Sequence, residues 1–237
     1  MKSLNFYLAI LIAIVLFVSC KKNDVARHPV CNITTVNAGT GDPFNISYNS
    51  EGKIASVTQG TISKNFQFSG NTLVINETNS GGFANKYIVT LNEFGLATNV
   101  KNEETADGTD WNNLQFEYNG KEVVKQTSTT SAGGATDITT ITWTNGNPTS
   151  IAHGGNASTI EYYADKPSQA GDYWNLIQLI NNGFYFIASK NAMKSLVAGG
   201  VRTNLFYTSD ADGKFTGVIV DDGTPPVSTY TYQYQCN

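Results

Sequence analysis

The residues able to move protons or attack a substrate are sparse in this chain. There are two histidines, His28 in a polar stretch and His153 in the turn His153-Gly154-Gly155, so a nucleophilic triad would hang on His153 alone. Ser50-x-x-Lys53 matches by letter a serine-nucleophile pattern that needs a helix start, but here it falls between two alternating apolar runs, where a hairpin turn belongs. Glu117, Glu161, Asp165 and Asp172 are carboxylates of the type a glycosidase pairs at about 5 to 9.5 Å, yet no spacing joins two of them. Asp210-x-Asp212-Gly213 and Asp221-Asp222-Gly223 offer oxygens of the kind calcium takes, in the residues that β-turns prefer anyway. Two histidines and the thiols left after Cys20 do not complete a zinc site. The reading is therefore non-enzymatic, with no catalytic residue, no metal and no cofactor.

Aromatic side chains are the resource that remains: 12 Tyr, 12 Phe and 3 Trp. In a sheet most of them pack across strands or into the core. Trp111, Trp143, Tyr162 and Tyr163 sit in or beside polar segments and are the expected ligand-binding residues. A solvent-facing row of such rings stacks on a sugar or docks a protein loop.

The elements that would carry these residues are strands. Phe44 to Thr58 reads as one hairpin: Phe44, Ile46 and Tyr48 alternate with Asn45 and Ser47, Asn49 to Gly52 make the turn, and Ile54 and Val57 lie on the return. Looser copies follow around Ser69-Gly70-Asn71, Asn92 to Gly95, Asn119-Gly120 and Asn145-Gly146. Gly95, Gly120 and Gly146 recur at an interval that marks an internal supersecondary repeat. The periodicity breaks at Asp172 to Asn182, where Tyr173, Leu176, Ile177 and Ile180 recur at helical spacing between a capping Asp172 and a stopping Gly183. A second, weaker helical pattern covers Ala188 to Val197. The last strand has Tyr230, Tyr232, Tyr234 and Cys236 on one face.

The ends of the chain speak to export. After Lys2 comes an apolar run from Leu8 to Val18, shorter than a membrane span of about 20 residues, which reads as a signal peptide. It ends Leu16-Phe17-Val18-Ser19-Cys20, which resembles the lipobox of bacterial lipoproteins and implies cleavage after residue 19 and lipidation of Cys20. Removing the leader takes only Lys2 of the 15 Lys and Arg, so the net charge of −4 becomes −5, and no basic cluster follows Lys21-Lys22. Nucleic acid is excluded as a partner on that basis. Residues 20–30 form a polar tether spanning roughly 30 Å when extended. Export and the loss of Cys20 to lipid leave Cys31 and Cys236, one in the first strand and one in the last. They are expected to form a disulfide, the alternative being two buried thiols.

Tyr48-Asn49-x-x-Gly52-Lys53-Ile54, echoed at Tyr118-Asn119-Gly120-Lys121 and Asp210-Ala211-Asp212-Gly213-Lys214, resembles the YD repeats of Rhs-type proteins. More closely, residues 31 to 237 resemble small Bacteroidota lipoproteins of unknown function built from such hairpins. That resemblance implies an exported all-β domain without known activity. The expectation is one β-rich repeat domain over 31–237 with a helical insertion at about 172–198. It is an antiparallel meander curled into an open half-barrel or sandwich, with one or two short helices and the main one covering a face. Functionally this points to a non-catalytic cell-envelope lipoprotein, held at the outer membrane by its N-terminal lipid on the periplasmic or surface side, that binds a glycan or an envelope protein. The alternatives are a secreted hydrolase acting on glycans and a purely structural envelope component.

Overall fold

The structure, a computed structural model, describes residues 31–134 and 136–236. The leader, Cys20, His28 and the tether lie outside the described residues. Within them sixteen strands run in sequence: β1 (Cys31–Ala38), β2 (Phe44–Tyr48), β3 (Ile54–Gln59), β4 (Ile62–Ser69), β5 (Thr72–Asn79), β6 (Gly82–Leu91), β7 (Ala97–Glu103), β8 (Trp111–Asn119), β9 (Glu122–Thr130), β10 (Asp137–Thr144), β11 (Asn147–His153), β12 (Asn156–Pro167), β13 (Asn191–Ala198), β14 (Val201–Ser209), β15 (Phe215–Asp221) and β16 (Ser228–Cys236). Each pairs antiparallel with the next along the chain. The hairpin at Thr144 and Asn147 shows how local sequence sets the register. Asn145 (φ 53°) and Gly146 (φ 79°) form a two-residue loop with both φ positive, the type I′ geometry that matches strand twist.

The sheet is a closed barrel, with β1 returning against β16. This corrects the open half-barrel or sandwich expected from the sequence. Sixteen twisted strands bring the first edge round to the last, and closure satisfies the two rows of backbone groups that an open sheet leaves bare. The seam carries Gly39 N–H donating to the Thr229 carbonyl at 3.1 Å and Asn37 Nδ2 donating to Thr231 Oγ1 at 3.3 Å. Cys31 and Cys236 are disulfide-bonded, as the sequence suggested.

The helix does not cover a face; it enters the barrel. Between β12 and β13, residues 168–190 plug the lumen through α1 (Tyr173–Ile177), a π-helical turn over Gln178–Asn182 and an extended return. Asp172 caps α1 by accepting from Asn175 N–H at 3.0 Å, and Gly183 (φ 73°) ends the π turn, its N–H donating to the Gln178 carbonyl at 2.8 Å. A buried loop must find partners for its backbone, and Gln178 supplies them. Its Oε1 accepts from Phe186 and Ile187 N–H at 2.8 and 2.9 Å, and its Nε2 donates to the Trp174 and Ile187 carbonyls at 3.2 and 3.0 Å. The wall grips the return as well. Ala97 N–H donates to the Tyr185 carbonyl at 2.7 Å, while the Tyr118 hydroxyl donates to the Ala97 and Phe186 carbonyls at 2.6 and 3.3 Å.

The second expected helix, over Ala188 to Val197, is strand β13. Its Ala, Met, Lys and Leu are good helix formers, but propensity is overridden by tertiary pairing here, because β12 and β14 each present an edge that a strand completes. Gly199-Gly200 is the two-residue loop of the β13–β14 hairpin.

The core fills the lumen. Wall residues such as Ile75, Val89, Val123 and Phe215 meet plug residues Leu176, Leu179, Phe184 and Ile187 in one apolar cluster. The outer wall has the opposite character. Asn45, Ser47, Gln67, Gln115, Thr142 and Gln233 are exposed at mid-strand positions, and outer-wall ion pairs join Glu117 to Lys125 at 2.8 Å and Glu161 to Arg202 at 3.2 Å.

Candidate functional site

The four aromatic residues expected to form a binding row do not form one. Trp143 and Tyr162 turn inward and pack on the core; Trp143 Nε1 donates to the Val123 carbonyl at 2.7 Å, and the Tyr162 hydroxyl donates to the Pro148 carbonyl at 2.9 Å while accepting from Trp174 Nε1 at 3.1 Å. Tyr163 donates to the Leu205 carbonyl at 2.8 Å and lies edge-on to Tyr207. Trp111 is half-buried at the start of β8, its ring 5.9 Å from Lys101 Nζ. Alternation along β8, β10 and β12 explains the scatter, because residue parity within each strand decides which face a ring takes.

The weighed chemical groups are likewise spread out. Glu117 and Glu161 are held in their outer-wall ion pairs. Asp172 is fully buried as the plug's cap, bonded to Ser168 Oγ, Gln169 N–H and the Asn175 amide, and burial pushes its carboxyl above the usual range. His153 Nδ1 lies 3.1 Å from Thr139 Oγ1 at an exposed strand end. Asp210 accepts from Asp212 and Lys214 N–H at 3.1 and 2.9 Å, and Asp222 from Thr224 N–H at 2.9 Å, which is turn capping.

The structure assembles a site that the sequence analysis missed. Strand β1 begins and β16 ends at the same rim as the turns after β2, β4 and β6, and at this rim a cavity of about 320 Å³ lies between wall and plug. Its walls are apolar: Ile33, Ile54, Phe68 and Leu91 from the barrel, Leu176 and Phe184 from the plug. Polar groups enter at a few points. The Tyr48 hydroxyl donates to the Ile33 carbonyl at 2.9 Å, and burial pushes its pKa up to about 12. Tyr185 also lines the cavity, and its hydroxyl meets no hydrogen-bond partner among the described residues. Burial, then the nearby Tyr48 and Asp172, hold that phenol well above its ordinary range. Lys53, in the turn at the mouth, has its ammonium 5.3 Å from the Phe68 ring centroid and 3.0 Å from Glu51 Oε2, both charges largely exposed. No sequence signal short of the fold joins residues 32–95 to residues 170–185.

At the far rim a second cavity, of about 290 Å³, lies under the plug's other side, lined by Phe44, Gln59, Glu77 and Tyr87. Lys64 reaches across it, 8% exposed, to the carbonyls of Ile180 and Asn181. A cation at the C-terminal end of a helical turn complements its dipole, and here it also ties the plug to β4. Burial lowers the Lys64 pKa, with Glu77 opposing that shift.

With this geometry the chain can be compared with known proteins. Crystal structures of two porin-like proteins superpose on it: one from Bacteroides uniformis, with a TM-score of 0.60 at 15% identity, and one from Bacteroides vulgatus, with a TM-score of 0.60 at 11% identity. Each match covers 86% of this chain and 98% of the other. The fold is that of a porin-like barrel. No family model matches the chain, and no curated protein does. The likeness concerns the path of the backbone; the polarity of the two faces has to be read from this chain's own residues.

Proposed function

We propose that this porin-like barrel is a non-catalytic binding protein of the cell envelope, lipid-anchored through Cys20, whose barrel stands in water and conducts nothing. The observation that carries the reading is the polarity of its wall. A bilayer-spanning barrel presents an apolar band about 25 Å tall to lipid and keeps a polar interior. This barrel places Asn45, Gln67, Gln115 and the Glu117–Lys125 and Glu161–Arg202 pairs outside, and packs Ile75, Val89, Leu176 and Phe184 inside. A charged side chain facing lipid costs about 2–4 kcal/mol at mid-membrane, so the outer wall disfavours insertion, and the plug of residues 168–190 fills the lumen. The leader and Ser19-Cys20 then supply attachment.

The test has two arms. Residues 20–237 carrying Cys20→Ala should remain monodisperse without detergent and give no discrete conductance in planar bilayers, and the unsubstituted protein should partition with membranes and release an acylated N-terminal peptide. Step conductance, or a barrel that precipitates without detergent, refutes the water-exposed reading. An unmodified native peptide reading through Ser19-Cys20 refutes the anchor.

A further inference from the structure

The cavity at the termini rim has the makings of a ligand site. Its volume of about 320 Å³ falls at the lower end of the range typical of small-molecule pockets. Its lining is aliphatic and aromatic, and its polar groups are few and placed. Leu73, Leu176 and Leu179 are each less than a tenth exposed and form an apolar floor. Asn32 and Lys53 stand at the strand start and turn that form the mouth. Tyr185 lines this space, and its hydroxyl has no hydrogen-bond partner among the described residues. That hydroxyl keeps accessible surface, so a water or a ligand in the cavity can bond it.

We propose that this cavity binds a single fatty acyl chain with a carboxyl-type head, the hydrocarbon lying against Leu73, Leu176, Leu179 and Phe184 and the head's oxygens meeting the Tyr185 hydroxyl and the Lys53 ammonium. A sugar fits the lining poorly, because its several hydroxyls would find too few partners here. An acyl chain needs apolar wall along its length and polar contacts at one end only. Glu51 is the competing anion at the mouth. Its pair with Lys53 is exposed, and such pairs are weak enough for a second carboxylate to share the cation. The same chemistry has two sources: a free fatty acid, or the acyl group on the chain's own N-terminus, since Cys31 enters the fold beside the lining residues Asn32 and Ile33. The proposal rests on the reading of the chain as an envelope binding protein.

The experiment is palmitate binding to delipidated residues 20–237 carrying Cys20→Ala, followed by calorimetry and native mass spectrometry. One palmitate per chain is expected. Ile54→Trp, which fills the cavity from the wall, should weaken binding at least 10-fold, and Tyr185→Phe, which removes only the hydroxyl, should weaken palmitate several-fold while leaving the hydrocarbon probe dodecane unchanged. Circular dichroism melts establish that both variants fold, and Tyr185→Phe alone decides if Ile54→Trp does not. Absence of palmitate binding, or binding that neither variant alters, overturns the proposal. Acylated protein that refuses palmitate while the Cys20→Ala chain accepts it assigns the site to the protein's own lipid; equal binding assigns it to a free one. Conductance sinks the envelope reading and this one together, whereas failed binding in a soluble, non-conducting barrel sinks this one alone.

Discussion

Gly183→Ala tests the claim that the plug is locked into the lumen by close packing. Gly183 has φ 73°, and a Cβ built on it would fall inside contact distance of Phe66 Cε1, 2.5 Å from Phe66 Cζ and 3.4 Å from Ile75 Cδ1. Two costs add. The left-handed backbone costs a non-glycine residue about 1–2 kcal/mol. Forcing a methyl into a packed core costs about 1–3 kcal/mol more, because Phe66 is itself walled in and cannot swing away freely. The total of about 2–5 kcal/mol corresponds to a Tm lower by roughly 5–15 °C for a domain of this size. Gly81 is the control, since it has φ 81° in the loop between β5 and β6 and a Cβ there meets nothing within 4 Å. Gly81→Ala should therefore show only the backbone cost, roughly 3–6 °C. Thermal melts and urea titrations of both variants measure the difference. If the two melt within about 2 °C of each other, the plug does not press on β4 and β5 as described.

Three further outcomes are expected. Gln178→Met keeps the volume but orphans the Phe186 and Ile187 N–H groups, so it should destabilise by about 2–6 kcal/mol and speed amide exchange over residues 183–190; a loss below about 1 kcal/mol refutes the role given to Gln178. Burial raises the phenols of Tyr48, Tyr87, Tyr118, Tyr162, Tyr207 and Tyr232 above their unfolded value near 10. Groups whose folded pKa is raised contribute stability that is complete below about pH 10 and lost as pH climbs toward their folded values, so Tm should fall steeply from about pH 10 to 12, and a flat profile counts against these burials. Replacing Cys31 and Cys236 together by Ala should cost up to about 5 kcal/mol by the chain-entropy argument, read from urea midpoints; two titratable thiols in the unreduced, denatured protein contradict the bond.

Local features of the fold were legible and global ones were not. Asn145-Gly146 demands a two-residue turn wherever it stands, and Tyr230, Tyr232 and Tyr234 alternate inward as their spacing requires. Closure depends on the meeting of β1 and β16, which no window of sequence contains. The helix was recognisable from Tyr173, Leu176 and Ile180, but its place was not. An amphipathic pattern suits a helix lying on a sheet, while the buried Gln178 that marks it as lumenal reads as polar until its four partners are known. The cavity was invisible for the same reason as closure. Ile54 and Phe184 become neighbours only because residues 168–190 turn back into a barrel that has yet to be completed when they are made.

That order of events has a consequence for folding. Strand β1 is made first and has β2 on one edge, but its other partner, β16, is the last of the sixteen strands to be made. Until then one long edge of the sheet is bare, and the apolar surface meant for the lumen is open to solvent. The hairpins from β2 to β11 can zip locally in the meantime, whereas the plug has no lumen to enter until the wall curls round it. A carboxy-terminal truncation of even one strand would thus leave two unpaired edges on a nearly full-length chain, a state suited to pairing edge to edge with its own kind.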